Sequence, residues 1–346
     1  MPHLSSGPSE PSITRLSLSV EQPAAILARV RAHASDLTDT LLDDLDAHVT
    51  RVVEQYEQDG PAALAPDLVS QRQLIQPLLQ AWHRAHHRDR LFRAAARMSG
   101  QLSYMAINLG HFDSARAYGL EAFSLADHVN DDELRAWVRG TQSLTEYYAA
   151  SYGQALELAR DGRCYAGGGQ QAVRLAVNGE ARALGKLGER SAVDRAIGEA
   201  YDLLDAFPRQ AGMTPCISFG LYSEARTAAN AATARLALAQ PVEALAYAGR
   251  ALEVVDASPS MWSRALVRLD MAAAVTSTSR PDLEHAAALM REAMTAANTH
   301  RIESIRQRTI STAQDLSAWS AEPVVSELPD EFTHWLANGS PNHDTT

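Results

Sequence analysis

Cysteine is nearly missing from this sequence, with only Cys164 and Cys216 in 346 residues. Two such distant residues exclude a disulfide framework, and neither has metal-type spacing to a second ligand. Aromatic residues reach only 6%, and β-branched or aromatic runs are scarce, which argues against a sandwich or barrel. Positive charge is in deficit too. The 31 Lys and Arg stand against 42 Asp and Glu, a formal charge of −11, so no general basic field exists to coat nucleic acid or an acidic membrane. No apolar run approaches the ~18 residues that would span a bilayer. The stretch Met1 to Pro11 is Ser/Pro-rich and lacks the charged-then-apolar order of a signal peptide. The expected compartment is reducing and cytoplasmic.

Catalytic signatures are also missing. There is no G-x-S-x-G elbow. Gly167-Gly168-Gly169 is followed by no Gly-Lys-Ser/Thr and reads as an inter-unit turn. His83 and His87 would share a helix face with His86 beside them, but Arg84, Arg88 and Arg90 crowd the cluster and the Glu of H-E-x-x-H is absent. Cys164, near Arg160 and Arg163, reads as a small buried residue at a hairpin end. Asp131-Asp132 suits a helix N-terminus. No catalytic residue, metal site or cofactor is expected.

Alanine is what the sequence has in excess, roughly one residue in six. It is the best helix former and lets helices approach closely, so an all-α chain is expected. Residues 1–19 read as a disordered leader and 20–87 as N-terminal helices. The clearest of these runs from Ser35 to Gln58, with Leu37, Leu41, Leu45, Val49, Val52 and Val53 at helical spacing and Gly60-Pro61 as its stop. A further apolar face follows at Leu74, Leu78, Leu79 and Trp82. From 88 to 320 small residues recur in pairs seven apart: Ala115 and Ala122, Ala155 and Gly162, Ala244 and Ala251, Ala286 and Ala293. Such positions belong to the second helix of a tetratricopeptide-like hairpin, repeated here at a loose spacing of roughly 38 to 51 residues. Five hairpins are expected, with an insertion at Pro208 to Ile217 and a capping helix at Arg306 to Trp319. Residues 321–346 read as a loose tail with one short helix near Phe332 to Leu336.

Gly140-Thr141-Gln142-Ser143-Leu144 with Tyr147-Tyr148, then Ala155 to Gly162, Glu180 to Leu184, and Arg264 to Asp270 resemble the tetratricopeptide sensor half of actinobacterial helix-turn-helix regulators of the XRE class. The resemblance covers roughly residues 35 to 320. It implies a right-handed superhelix of antiparallel helix pairs whose concave groove binds a peptide, a protein or a small ligand. Ahead of Val20 no helix-turn-helix is found, so direct sequence-specific DNA binding is not expected, and a separate DNA-binding protein is a candidate partner.

Placed in register, the first helices direct Arg97, Tyr104 and Asn108, then Trp137, Leu144 and Tyr148, then Asn178, Arg182 and Lys186, then Arg226 and Thr233, then Arg268 into the groove. Its five cations would focus positive potential in an acidic protein, and Arg offers a planar fork for a carboxylate or phosphate. The competing reading is that these are solvated residues, some paired with carboxylates such as Glu180. The leading functional expectation is a non-enzymatic regulatory sensor or adaptor in transcriptional control. The alternative is an enzyme or auxiliary protein of a biosynthetic pathway that holds a small anionic or aromatic substrate. The Leu37–Val53 face either caps the first repeat or forms a homodimer.

Overall fold

The structure, a computed structural model, describes residues 21–33, 37–81, 83–208 and 211–337. The expected leader 1–19, Trp82 and the end of the tail at 338–346 lie outside the described residues. Helix α1 (Pro23–His33) belongs to an N-terminal unit ending at Asp36, and the remainder forms a second unit. The described elements are all helical, and none is long and apolar enough to cross a membrane.

In the second unit, α2 (Asp39–Asp59) starts where Thr38 Oγ1 accepts the Leu41 N–H and stops at Gly60-Pro61; α3 (Pro61–Leu74) and α4 (Gln76–Gln80) follow. Its buried face is Leu42, Leu45, Val49, Val52 and Tyr56. Leu41 and Val53, expected in that face, sit at its margin. The face packs on α5 (Ala85–Asn108), where Gln101 Nε2 donates to Val49 O at 2.9 Å, so these side chains are buried within the chain.

Five helix pairs then follow, each helix packing on its sequence neighbour. They are α5 with α6 (Phe112–His128), α7 (Asp132–Tyr148) with α8 (Tyr152–Ala166), a helix over 170–186 with α11 (Arg190–Asp205), α12 (Glu224–Ala237) with α13 (Pro241–Ala257), and α14 (Met261–Thr276) with α15 (Leu283–Ala296). The helix over 170–186 consists of α9 (Gln170–Arg174), a π segment (Leu175–Ala181) and α10 (Arg182–Lys186). The first four pairs turn through Gly110, Ala150, Gly188 and Ala239, at φ 76, 61, 81 and 52°. After each, an N–H returns to a helix carbonyl: His111 to Ala106, Ser151 to Glu146, Glu189 to Leu184 and Gln240 to Arg235, at 2.8 to 3.1 Å. This closure satisfies a carbonyl that the helix end would otherwise orphan.

Small residues let the paired helices approach. Ala115, Gly119, Ala122 and Ala126 of α6, and Ala155, Ala159, Gly162 and Ala166 of α8, form equivalent buried rows. Ser103 Oγ donates to Ala115 O at 2.8 Å, and Ser143 Oγ repeats the bond to Ala155 O at 2.7 Å. Asp131 caps α7 by accepting the Leu134 N–H, and Gly167–Gly169 forms the turn after α8.

Two segments occupy the space that the first helices face. One is the stretch 211–223, with Ile217, Leu221 and Tyr222 buried. A buried loop must find partners for its backbone, and helix side chains supply them. Trp137 Nε1 donates to Ser218 O at 2.8 Å, Gln171 Nε2 to Phe219 O at 2.8 Å, and Arg226 Nη2 to Thr214 O at 2.6 Å, while Glu57 accepts the Cys216 N–H. The other is α16 (Glu303–Leu316), extended by a 3-10 turn at Ser317–Trp319. It reaches α7 through Gln307 Nε2 to Tyr148 O (3.0 Å) and α12 through Arg308. The tail is more ordered than its composition implies. Both α17 (Pro323–Ser326) and α18 (Leu328–Ala337) are formed, Val325, Leu328 and Trp335 are buried, and Arg291 holds Glu331 with two nitrogens.

Candidate functional site

Between these fillers a cavity of about 70 Å³ remains, walled by α2, α5, α7, the helix over 170–186, loop 211–223, α12, α14 and α16. That space holds a few waters or one small polyatomic group. Its wall is polar. Three guanidiniums (Arg182, Arg226 and Arg308) face two carboxylates, Glu57 and Asp270. Arg308 Nε lies 3.3 Å from Asp270, and Arg226 Nη2 lies 3.7 Å from Glu57.

Arg182 has no carboxylate partner among the described residues. It is 3% exposed. Nη1 donates to Asn178 Oδ1 at 2.5 Å and Nη2 to the Tyr148 hydroxyl at 3.1 Å, while the guanidinium lies 4.1 Å from the Tyr147 ring centroid. Nε is buried without a partner. Burial would discharge this group, but Tyr148 and Tyr147 hold its pKa above the ordinary arginine value. Burial likewise pushes the Tyr148 phenol up, and the Arg182 and Arg308 charges more than reverse the shift, leaving it below the usual tyrosine value. Burying an unpaired ion costs several kcal/mol after relaxation. Hydrogen bonds from a charged donor return about 1.5–3 kcal/mol each, and a desolvated cation–π contact about 2. The arrangement therefore sustains a cation whose remaining positive potential points into the cavity.

The π segment places this group. Seven residues of π geometry precede Arg182 and include Asn178, and π turns within α-helices are frequent at functional sites. Gly179 lets this segment pack closely on α8, since a Cβ there would lie 2.7 Å from the Ala159 Cβ.

Of the residues the sequence points to, Tyr104, Asn108, Leu144, Tyr148, Asn178, Arg182, Arg226 and Thr233 line this one cavity. Lys186 lies in a neighbouring pocket. Arg97 and Trp137 occupy the expected face, but loop 211–223 covers their half of it. Arg97 lies over the Phe219 ring and near Asp46, and Trp137 packs on Phe219. Arg268 faces away, paired with Asp256 and Glu292 at 2.7 Å; Ser263, Leu266 and Asp270 carry the inward stripe of α14. Glu180 pairs with Arg163 and Arg160, not with Arg182. Sequence reasoning missed Glu57, Tyr222, Asn230, Asp270 and Arg308. Extending the helical stripe from Arg226 reaches Asn230, whereas Glu57 and Arg308 come from segments outside the hairpins and leave no local signal.

Elsewhere, Asp39, His86 and His87 place ligand-type atoms within 4.8 Å of one another, but Asp39 is already bonded to His87 and near Arg90. His83 instead bonds Leu78 O. Cys164 is exposed rather than buried, because its turn of α8 faces solvent. The chain matches no known protein family, and comparison with characterised proteins finds no relative.

Proposed function

We propose that this chain is a tetratricopeptide-like regulatory sensor that takes a small anion into the cavity around Arg182 and acts by binding. The carrying observation is Arg182 itself, a buried guanidinium without a carboxylate partner among the described residues, facing a polar cavity. Repeated turn geometry and small-residue rows support the repeat reading. The covered first-helix face favours a small molecule over an extended peptide, because loop 211–223 and α16 occupy the path a peptide would follow.

Regulation follows from what surrounds the site. Tyr148, Arg182, Asn230 and Arg308 come from the second, third and fourth helix pairs and from α16. An anion bound among them ties these units together and selects one superhelical curvature, which a cytoplasmic partner reads on the outer surface. A separate DNA-binding protein suits that role and places the chain in transcriptional control.

The test is thermal unfolding of wild type and Arg182→Met against a series of small carboxylates, phosphates and sulfonates. At a ligand concentration one hundred times Kd the wild type gains about 2.7 kcal/mol, and the variant gains none. Equal gains in both proteins, or gains only with acidic peptides, overturn the reading.

A further inference from the structure

A second pocket, of about 390 Å³, lies beyond one wall of the cavity. Tyr148, Thr233, Asp270 and Arg308 line both spaces, so the partition is a single layer of side chains. Three side-chain contacts hold it: Thr233 Oγ1 donates to Asp270 Oδ2 at 2.6 Å, Arg308 Nη2 donates to Thr233 Oγ1 at 3.1 Å, and Arg308 Nε lies 3.3 Å from Asp270 Oδ1. Arg308 takes part in two of the three contacts and reaches them through rotatable side-chain bonds.

The two spaces differ in chemistry. The inner one is small and presents an unpaired cation. The outer one carries the Tyr147 and Tyr152 rings with Leu236, Leu269 and Ala273, and its volume falls in the range of small-molecule sites. At its edge Lys186, with Nζ 5.9 Å from the Tyr152 ring centroid, is set against the carboxylate of Asp315, so the pocket beyond Arg308 is close to neutral.

We propose that the two pockets are one site for an amphipathic organic anion, its carboxylate, sulfonate or phosphate head on Arg182 and its apolar or aromatic body against Tyr147 and Tyr152. Arg308 is the gate and releases Asp270 as the head passes. This rests on the reading of the inner cavity as an anion site.

Three probes test it: anilinonaphthalene sulfonate for the whole site, neutral N-phenylnaphthylamine for the body and methanesulfonate for the head. Arg182→Met removes the head contact. Ser311→Trp fills the outer pocket from an exposed position on its wall. Each variant weakens the sulfonated dye by at least about tenfold, the loss of one charge-assisted contact or of the body's seat. The neutral dye is lost in Ser311→Trp and is indifferent to Arg182→Met. Methanesulfonate displaces the sulfonated dye from wild type, which needs no variant to fold. If methanesulfonate stabilises wild type but not Arg182→Met while the sulfonated dye ignores Ser311→Trp, the inner anion site stands and the joint site falls. If neither anion distinguishes wild type from Arg182→Met, both readings fall.

Discussion

Gly100→Ala tests how the buried loop is held. A Cβ at Gly100 would lie 2.6 Å from Trp137 Cζ3, about 1 Å inside an ordinary carbon–carbon contact. The ring has nowhere to go cheaply, being 1% exposed, bonded through Nε1 to Ser218 O and packed on Phe219 at 4.3 Å. A retreat orphans the Ser218 carbonyl, about 1–3 kcal/mol, and loosens an aromatic contact of about 0.5–1.5. The better helix propensity of Ala returns about 1 kcal/mol. The net expectation is a loss of about 1–3 kcal/mol, read as a lower urea midpoint. In a double-mutant cycle the Gly100→Ala cost largely disappears in a Trp137→Phe background, because the clashing ring atom is gone. A Gly100→Ala protein as stable as wild type, or strictly additive costs, would refute the packing argument.

Ala150→Gly and Ala239→Gly relieve left-handed backbone and should each stabilise by about 0.5–1 kcal/mol in the same urea assay, given a strain of about 1–2 kcal/mol less the added chain entropy of Gly. With a disulfide thiol reagent at pH 8, exposed Cys164 reacts first; burial and Glu57 raise the Cys216 thiol, so it reacts slowly, and faster in Gly100→Ala as the loop loosens. Burial raises the Tyr56, Tyr104 and Tyr222 phenols, so above about pH 10 the unfolded chain holds fewer protons than the folded one and stability falls with rising pH. Tyr148, shifted the opposite way, offsets only part of this. Phenolate absorbance should show one early tyrosine and several that titrate only on unfolding.

Much of this architecture is legible in the sequence, because alanine rows at helical spacing dictate close helix pairs and Gly110 and Gly188 dictate their turns. Of the residues that the hairpin register directs to the inner face, Tyr104, Asn108, Leu144, Tyr148, Asn178, Arg182, Arg226 and Thr233 line one cavity, whereas Arg97, Trp137, Lys186 and Arg268 do not. What fills that face is not legible. Loop 211–223 is satisfied by partners from α2, α7, the helix over 170–186 and α12, contacts too distant in sequence to leave a pattern. On α14 the inward position is Asp270 and not Arg268, a difference of two residues that turns a helix by about 200°. The tail misleads for a similar reason, since Trp335 and the Arg291–Glu331 pair stabilise α18 only through tertiary contact.

The central claim, that the Arg182 cavity is an anion site, is tested most directly by crystals grown with selenate and measured at the selenium edge. The account predicts an anomalous peak within hydrogen-bond reach of the Arg182 guanidinium, absent from Arg182→Met crystals. Selenate bound only to exposed arginines, with the cavity holding water alone, would contradict it.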